Sequence, residues 1–237
     1  MESLNDLSSV ISDVCSTLES ISSTLGSLLP LIMEMHPTAG LIIAAIPLIC
    51  KILELLAPDV FEPGEIENGE LAVKAEVCQD IKPEDYETFS EYIKAIHEEI
   101  GKDPEKKAQV DERMAARTEE EATAYKLVSV ALAGKIVAEK LDTNYVDPAL
   151  LGKLNACGFD ADKTVNFIRE IQKQGLGAAD ANKYFNGDLR GGDFEKAGEA
   201  VKAALGKIDP SLKTDEQKTE AENQMFKDID AAVKAEA

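Results

Sequence analysis

The sequence predicts an all-α fold: a multi-helix bundle with a long N-terminal heptad helix and an apolar helical hairpin, followed by a C-terminal region of short helices. Three observations predict it. Apolar residues recur at alternating spacings of three and four through the first 32 residues, the period of one helix face. Aromatic residues make up only 5% of the chain and Trp is absent, so the core must come from Leu, Ile, Val and Ala, as in helix bundles. In the last third, Gly residues and an Asp-Pro step punctuate the chain at helix-length intervals.

Residues 2–35 read as one helix. Leu4, Leu7, Ile11, Val14, Leu18, Ile21, Leu25, Leu28 and Ile32 form its stripe, an unbroken heptad pattern. The flanking positions, Ser8, Val10, Cys15, Thr17, Ser22, Thr24, Leu29 and Leu31, carry no charge. A solvated two-stranded coil uses charges there to choose its partner, so small uncharged flanks suit a helix with several close neighbours. The outer face is rich in Ser, an indifferent helix former, and packing must hold the helix together. Pro30 is placed to kink its last turn.

His36-Pro37 breaks the pattern, and a second helix is expected over 38–57. Its stretch Leu41–Cys50 is apolar on every side. Met35 to Cys50 is 16 residues without Asp, Glu, Lys or Arg, short of the roughly 20 that a membrane span needs. Residues 58–82, with Pro58, Pro63, Gly64 and Gly69, read as a linker or irregular arm with a short helix or strand at Leu71–Val77. Pro83-Glu-Asp opens the next helix, with the stripe Tyr86, Phe89, Ile93, Ile96 and Ile100. One long helix is expected from 105 to 141. Short helices follow at 148–157, 161–174, 178–187, 193–207 and 212–236, with Asp160 and Asp193 as N-caps. The expected organisation is therefore 1–57 as a self-association or membrane-contact element, 58–82 as an arm, 83–142 as an acidic two-helix region, and 143–237 as the short-helix region.

Charge excludes one class of partner. The chain carries 25 Lys and Arg against 45 Asp and Glu, a net charge of −20, and nucleic-acid affinity comes mainly from cations that neutralise phosphates. The charge is uneven: residues 1–57 hold six acids and one base, residues 58–142 hold 22 acids and 11 bases, and residues 143–237 hold 17 and 13. Cys15, Cys50, Cys78 and Cys157 are widely spaced with no C-x-x-C, which favours a reducing compartment. The N-terminus has no cationic segment of a usual signal peptide, so a cytoplasmic or virion-associated location is expected.

No catalytic constellation stands out. His36 and His97 are the two histidines, neither in a metal-binding motif, and His97 reads as part of a solvated helix face. Asp160-Ala-Asp162-Lys-Thr164 starts like a calcium loop, but Val165 replaces the turn Gly and Ile171 the closing Glu. Asn186 to Asp193 keeps a Gly but has Ala197 at the closing position. Both read as caps and turns, and Glu119-Glu120-Glu121 as solvated charge. No metal, cofactor or catalytic residue is assigned. Leu154-Asn-Ala-Cys157-Gly158-Phe159, with Phe167-Ile168-Arg169, resembles the turn and following helix of ubiquitin-associated domains over a short stretch; with Cys157 in place of the family's Met and a longer following loop, no ubiquitin contact is expected.

Three readings of residues 1–57 stay open: the apolar helix as the buried centre of one bundle, the pair as a subunit contact, or the pair as a membrane-inserting hairpin. The expected function is non-enzymatic: a helical structural or assembly protein, such as a virion or bacterial assembly component, that self-associates as a homo-oligomer or larger assembly through the stripe residues. The alternative is a membrane-inserting, pore-forming or membrane-penetrating protein whose contacts are Leu41, Ile42, Ile43, Ile46, Leu48 and Ile49.

Overall fold

The computed structural model describes residues 9–14, 16, 39–143 and 146–236. The described chain is all-α. Residues 9–14 are helical, and from residue 39 onward there are eleven α-helices and one 3-10 turn, with no strand among the described residues. The helices are α1 (Ala39–Ala44), α2 (Ile46–Leu56), α3 (Glu70–Val77), α4 (Phe89–Lys102), α5 (Pro104–Ala116), α6 (Glu119–Lys140), α7 (Pro148–Ala156), α8 (Ala161–Lys173), α9 (Ala178–Asn186), α10 (Gly191–Ile208) and α11 (Asp215–Glu236). They group into two units. One takes the described part of 1–39 with 53–140, the other 40–52 with 141–237.

In the first unit α3 is the central element. Every residue from Leu71 to Val77 is buried, including Lys74 and Glu76, and α4, α5 and α6 all pack on it. An eight-residue helix is too short to hold itself in water, so these contacts must stabilise it. Its first-turn N–H groups have no intrahelical acceptors, and Gly69 at the N-cap position has no side chain to cap them. Acceptors come from elsewhere: the Glu65 carbonyl takes the Glu70 and Leu71 amides at 2.9 and 3.4 Å, and Ser129 Oγ on α6 takes the Ala72 amide at 3.1 Å. Residues 58–82, expected as an arm, thus contain the helix on which the unit is built.

Capping chemistry sets the other boundaries. Pro83–Asp85 is only a 3-10 turn; α4 begins at Phe89 because Thr88 and Glu91 close a reciprocal capping box. Tyr86 therefore lies outside the helix, and the buried stripe is Ser90, Tyr92, Ile93, Ile96 and Ile100. The single helix expected over 105–141 is two. Thr118 Oγ1 accepts from the Glu121 amide at 3.2 Å and Glu121 Oε2 from the Thr118 amide at 2.8 Å, a second box that restarts the chain as α6. Glu119, Glu120 and Glu121 then occupy the first turn, at the positive end of the helix dipole.

In the second unit, the segment 40–52 contributes seven buried apolar residues: Leu41, Ile42, Ala45, Ile46, Leu48, Ile49 and Ile52. A turn at Ala45 splits the expected single helix into α1 and α2. Leu41 lies on Gly152 of α7, where a Cβ would come within 3.1 Å of its Cγ and its carbonyl oxygen. Asp147 caps α7 and Asp160 caps α8, each accepting a first-turn amide at 2.8 Å. Asp193 is not a cap: α10 starts at Gly191, which puts Asp193 in the first turn. The rings of Tyr184, Phe185, Phe194 and Phe226 gather into one cluster, and Tyr184 donates its hydroxyl to buried Glu222 at 2.8 Å. Burial pushes the Glu222 carboxyl up from its usual range.

Candidate functional site

Of the stripe proposed for self-association, Ile11 and Val14 are described, and both are buried. Leu4, Leu7, Leu18, Ile21, Leu25, Leu28 and Ile32 lie outside the described residues. Of the candidate membrane contacts, Leu41, Ile42, Ile46, Leu48 and Ile49 are buried, and Ile43 is half-buried.

A dense titratable cluster lies elsewhere, in the first unit. Lys74, on the buried face of α3, projects its ammonium into a cage of carboxylates. It pairs with Glu70 one turn earlier at 2.9 Å, with Glu65 at 3.3 Å, and with Glu62. The Lys74 side chain is 3% exposed and Glu65 is fully covered. Burial alone lowers a lysine's pKa, but here the Glu65 charge and the hydrogen bonds to Glu62 and Glu70 outweigh it and hold Lys74 above its usual range. In return, the hydrogen bond from Lys74 holds the Glu62 carboxyl below its usual range.

His97, on α4, reaches the same cage. Its Nε2 lies 2.6 Å from Glu65 Oε1, and because a carboxylate accepts, the imidazole N–H donates. The solvated-face reading of His97 is thereby corrected: its side chain is only 15% exposed. The reason is the 57–69 turn, which lays Glu62 and Glu65 over that edge of α4. One ligand atom each from Glu62, Glu65 and His97 lie within 4.8 Å of one another. A cavity of about 180 Å³ adjoins them, lined among others by Glu62, Glu70, Lys74, His97, Lys107 and Asp111.

The other buried charge on α3 is also partnered. Glu76 accepts from the Tyr125 hydroxyl at 2.7 Å and pairs with Arg113 at 2.5 Å, tying α3 to α6 and α5. Two thiols, buried Cys78 and half-buried Cys157, are shifted away from the thiolate form. Burial pushes Cys78 up to about 11 and Cys157 up to about 12, so both stay protonated near neutrality.

The second unit holds a buried lysine of opposite character. Lys153 on α7 is 2% exposed, and it donates to the amide oxygens of Asn182 and Asn186 on α9. Asn182 in turn donates to Asp147 at 2.5 Å. Neutral partners do not offset desolvation, and burial pushes Lys153 down to about 8. Its usual value of 10.5 applies to the unfolded chain. Between about pH 8 and 10.5 the unfolded state binds more protons, so folding stability rises with pH across that window. Lys153→Met is expected to stabilise this unit by about 1–3 kcal/mol at neutral pH and to abolish the alkaline rise. Urea midpoints at pH 7 and pH 10 check this; parallel shifts in parent and variant would show that the ammonium is not the cause.

A second cavity, of about 630 Å³, lies in the second unit and is lined by Leu176, Asp180, Leu189, Lys196, Ala197 and Ala200 among others. It shares no residue with either lysine site.

Sequence reasoning missed Glu62, Glu65, Lys74 and His97 as a group. One signal was present: Glu70 and Lys74 have the favoured i, i+4 order of a helical ion pair, which marks 70–77 as helix. Comparisons of the chain with protein-family models, with curated proteins and with solved structures find no match.

Proposed function

We propose that this chain is a non-enzymatic helical structural or assembly protein that self-associates through its N-terminal heptad segment, of the kind found in a virion or a bacterial assembly. The observation that carries the reading is the stripe from Leu4 to Ile32, which keeps its spacing over four repeats and has no charge at its flanking positions. Such a surface needs apolar neighbours on more than one side. Ile11 and Val14 are already covered within the single chain, so the reading is carried by the sequence pattern of the stripe and not by an exposed seam at those two positions. Most of the apolar residues of 41–53 are likewise covered, so the proposed contact narrows from the whole hairpin to the heptad segment.

Light scattering on the full chain tests it. The expected result is a discrete multiple of the 25.6 kDa chain mass, and Leu18→Asp or Ile21→Asp should lower that mass while the circular dichroism of α3–α11 persists. A monomeric parent across the accessible concentration range would sink the proposal.

Membrane insertion is the second reading, favoured by the uncharged run from Met35 to Cys50. It requires Leu41, Ile42, Ile46, Leu48 and Ile49 to leave buried positions. Among the described residues no helix is long and apolar enough to cross a membrane. Dye release from anionic vesicles by a monomeric parent would favour it over assembly.

A further inference from the structure

We infer that Glu62, Glu65 and His97 form a binding site for one divalent transition-metal ion of the zinc class, which ties the 57–69 turn to α4. Two separate observations point to a ligand there. One carboxylate oxygen from each Glu and one imidazole nitrogen converge within 4.8 Å, and the converging set includes Glu65, which is wholly buried. Beside Glu62 and His97 lies the cavity of about 180 Å³, which has room for the water that completes a site with three protein ligands.

Ligand chemistry selects the ion. Calcium and magnesium take oxygen ligands in larger numbers, whereas an imidazole with carboxylates suits zinc and its neighbours in the transition series. Tetrahedral zinc at ordinary bond lengths sets its ligand atoms about 3.3 Å apart. The His97–Glu65 contact at 2.6 Å must therefore open by about 0.7 Å, and the Lys74 ammonium must leave Glu62.

Lys74 is the competitor for this site, and the cage gives it somewhere to go. It already pairs with Glu70 at 2.9 Å, so it can keep that partner while Glu62 and Glu65 turn to the metal. Charge supports the exchange. Glu62, Glu65 and Glu70 contribute three negative charges and Lys74 one positive, which leaves the cage two negative with His97 neutral. One dication with Lys74 retained brings the sum to zero. The surplus negative charge is thus matched to the ion rather than to the lysine alone.

The test uses the full chain after chelator treatment, with Co2+ as the spectroscopic probe and Zn2+ as the competitor. The expected result is one equivalent of Co2+ with visible ligand-field bands, displaced by Zn2+, and a higher Tm with Zn2+ but not with Ca2+. His97→Gln and Glu65→Gln should each weaken Co2+ binding on the order of tenfold or more, while Glu199→Gln in the second unit should leave it unchanged. Lys74→Met removes the competitor, so Zn2+ should raise its Tm by more than it raises the parent's. The inference is overturned if the parent gives no saturable Co2+ bands, if His97→Gln binds as tightly as the parent, or if Zn2+ fails to raise the Tm of Lys74→Met above its effect on the parent.

Discussion

Gly69→Ala is expected to cost the first unit roughly 2–5 kcal/mol, combining a left-handed backbone penalty with overpacking. The φ of Gly69 is +71°, in the region that side chains with a Cβ rarely adopt. An added Cβ would also lie 2.7 Å from the Lys126 amide nitrogen and from the Tyr125 carbonyl carbon of α6. Those atoms cannot swing aside as a side chain can. They belong to a helix whose neighbouring residues Ala124, Leu127, Val128 and Ser129 are all buried. The same close approach lets Ser129 reach the Ala72 amide, so a displaced turn also exposes an unsatisfied first-turn donor of α3. Gly64→Ala is the control. It has a φ of +79°, but its Cβ would meet only the side-chain amide of exposed Asn68 at 3.1 Å. Its loss should stay near the backbone term, about 1–2 kcal/mol. Denaturant midpoints, with hydrogen exchange of the Ala72–Val77 amides, read the difference; equal losses in the two variants would remove the argument from close approach.

The all-α fold was legible because its evidence is periodic and local: heptad spacing, aromatic-poor composition, and the turn residues between short helices. Several boundaries were legible too, in motifs that the stripe pattern overrode. Thr88-x-x-Glu91, Thr118-x-x-Glu121 and Thr214-x-x-Gln217 each hold a capping Thr with an acceptor three residues on, and each closes on its own backbone. Reading them would have started α4 at Phe89, divided 105–141 at Arg117-Thr118, and started α11 at Asp215. The charged cage was not legible in the same way. Lys74 and Glu76 lie two residues apart in a segment that is buried on all sides, so 70–77 has no polar face to reveal its period. Charged residues there look like solvated charge until their partners are known, and those partners come from the 57–69 turn, α5 and α6. His97 fails for the same reason. Its position on α4 borders the buried stripe, and only the turn folded over it decides whether water or Glu65 is its neighbour.

Lys74→Met is expected to destabilise the first unit by about 3–5 kcal/mol near neutral pH, the range for breaking a buried ion pair by removing one partner. The substitution keeps most of the side-chain volume, so the loss reads charge rather than a cavity. It leaves Glu65 fully covered with only His97 and the Glu62 amide as donors, and it sets Glu62 and Glu70 beside it without their shared counterion. Glu65→Gln should cost less, because Lys74 then keeps Glu62 and Glu70. The pH dependence separates this account from simple misfit. In the parent, Glu62 has a folded-state pKa below its unfolded value, so its contribution is present above the unfolded value and is lost as pH falls. Lys74 has a folded-state pKa above its unfolded value of 10.5, so its contribution is present below that and is lost as pH rises past it. Removing the ammonium reverses the acid side. Crowded carboxylates bind protons more readily in the folded than in the unfolded state, so the variant should regain stability as pH falls from 7 towards about 4.5, the ordinary carboxylate range, while the parent loses it. Thermal unfolding of both proteins across that interval gives two curves that converge under this account. Curves that stay parallel would mean that Lys74 stabilises α3 by packing alone.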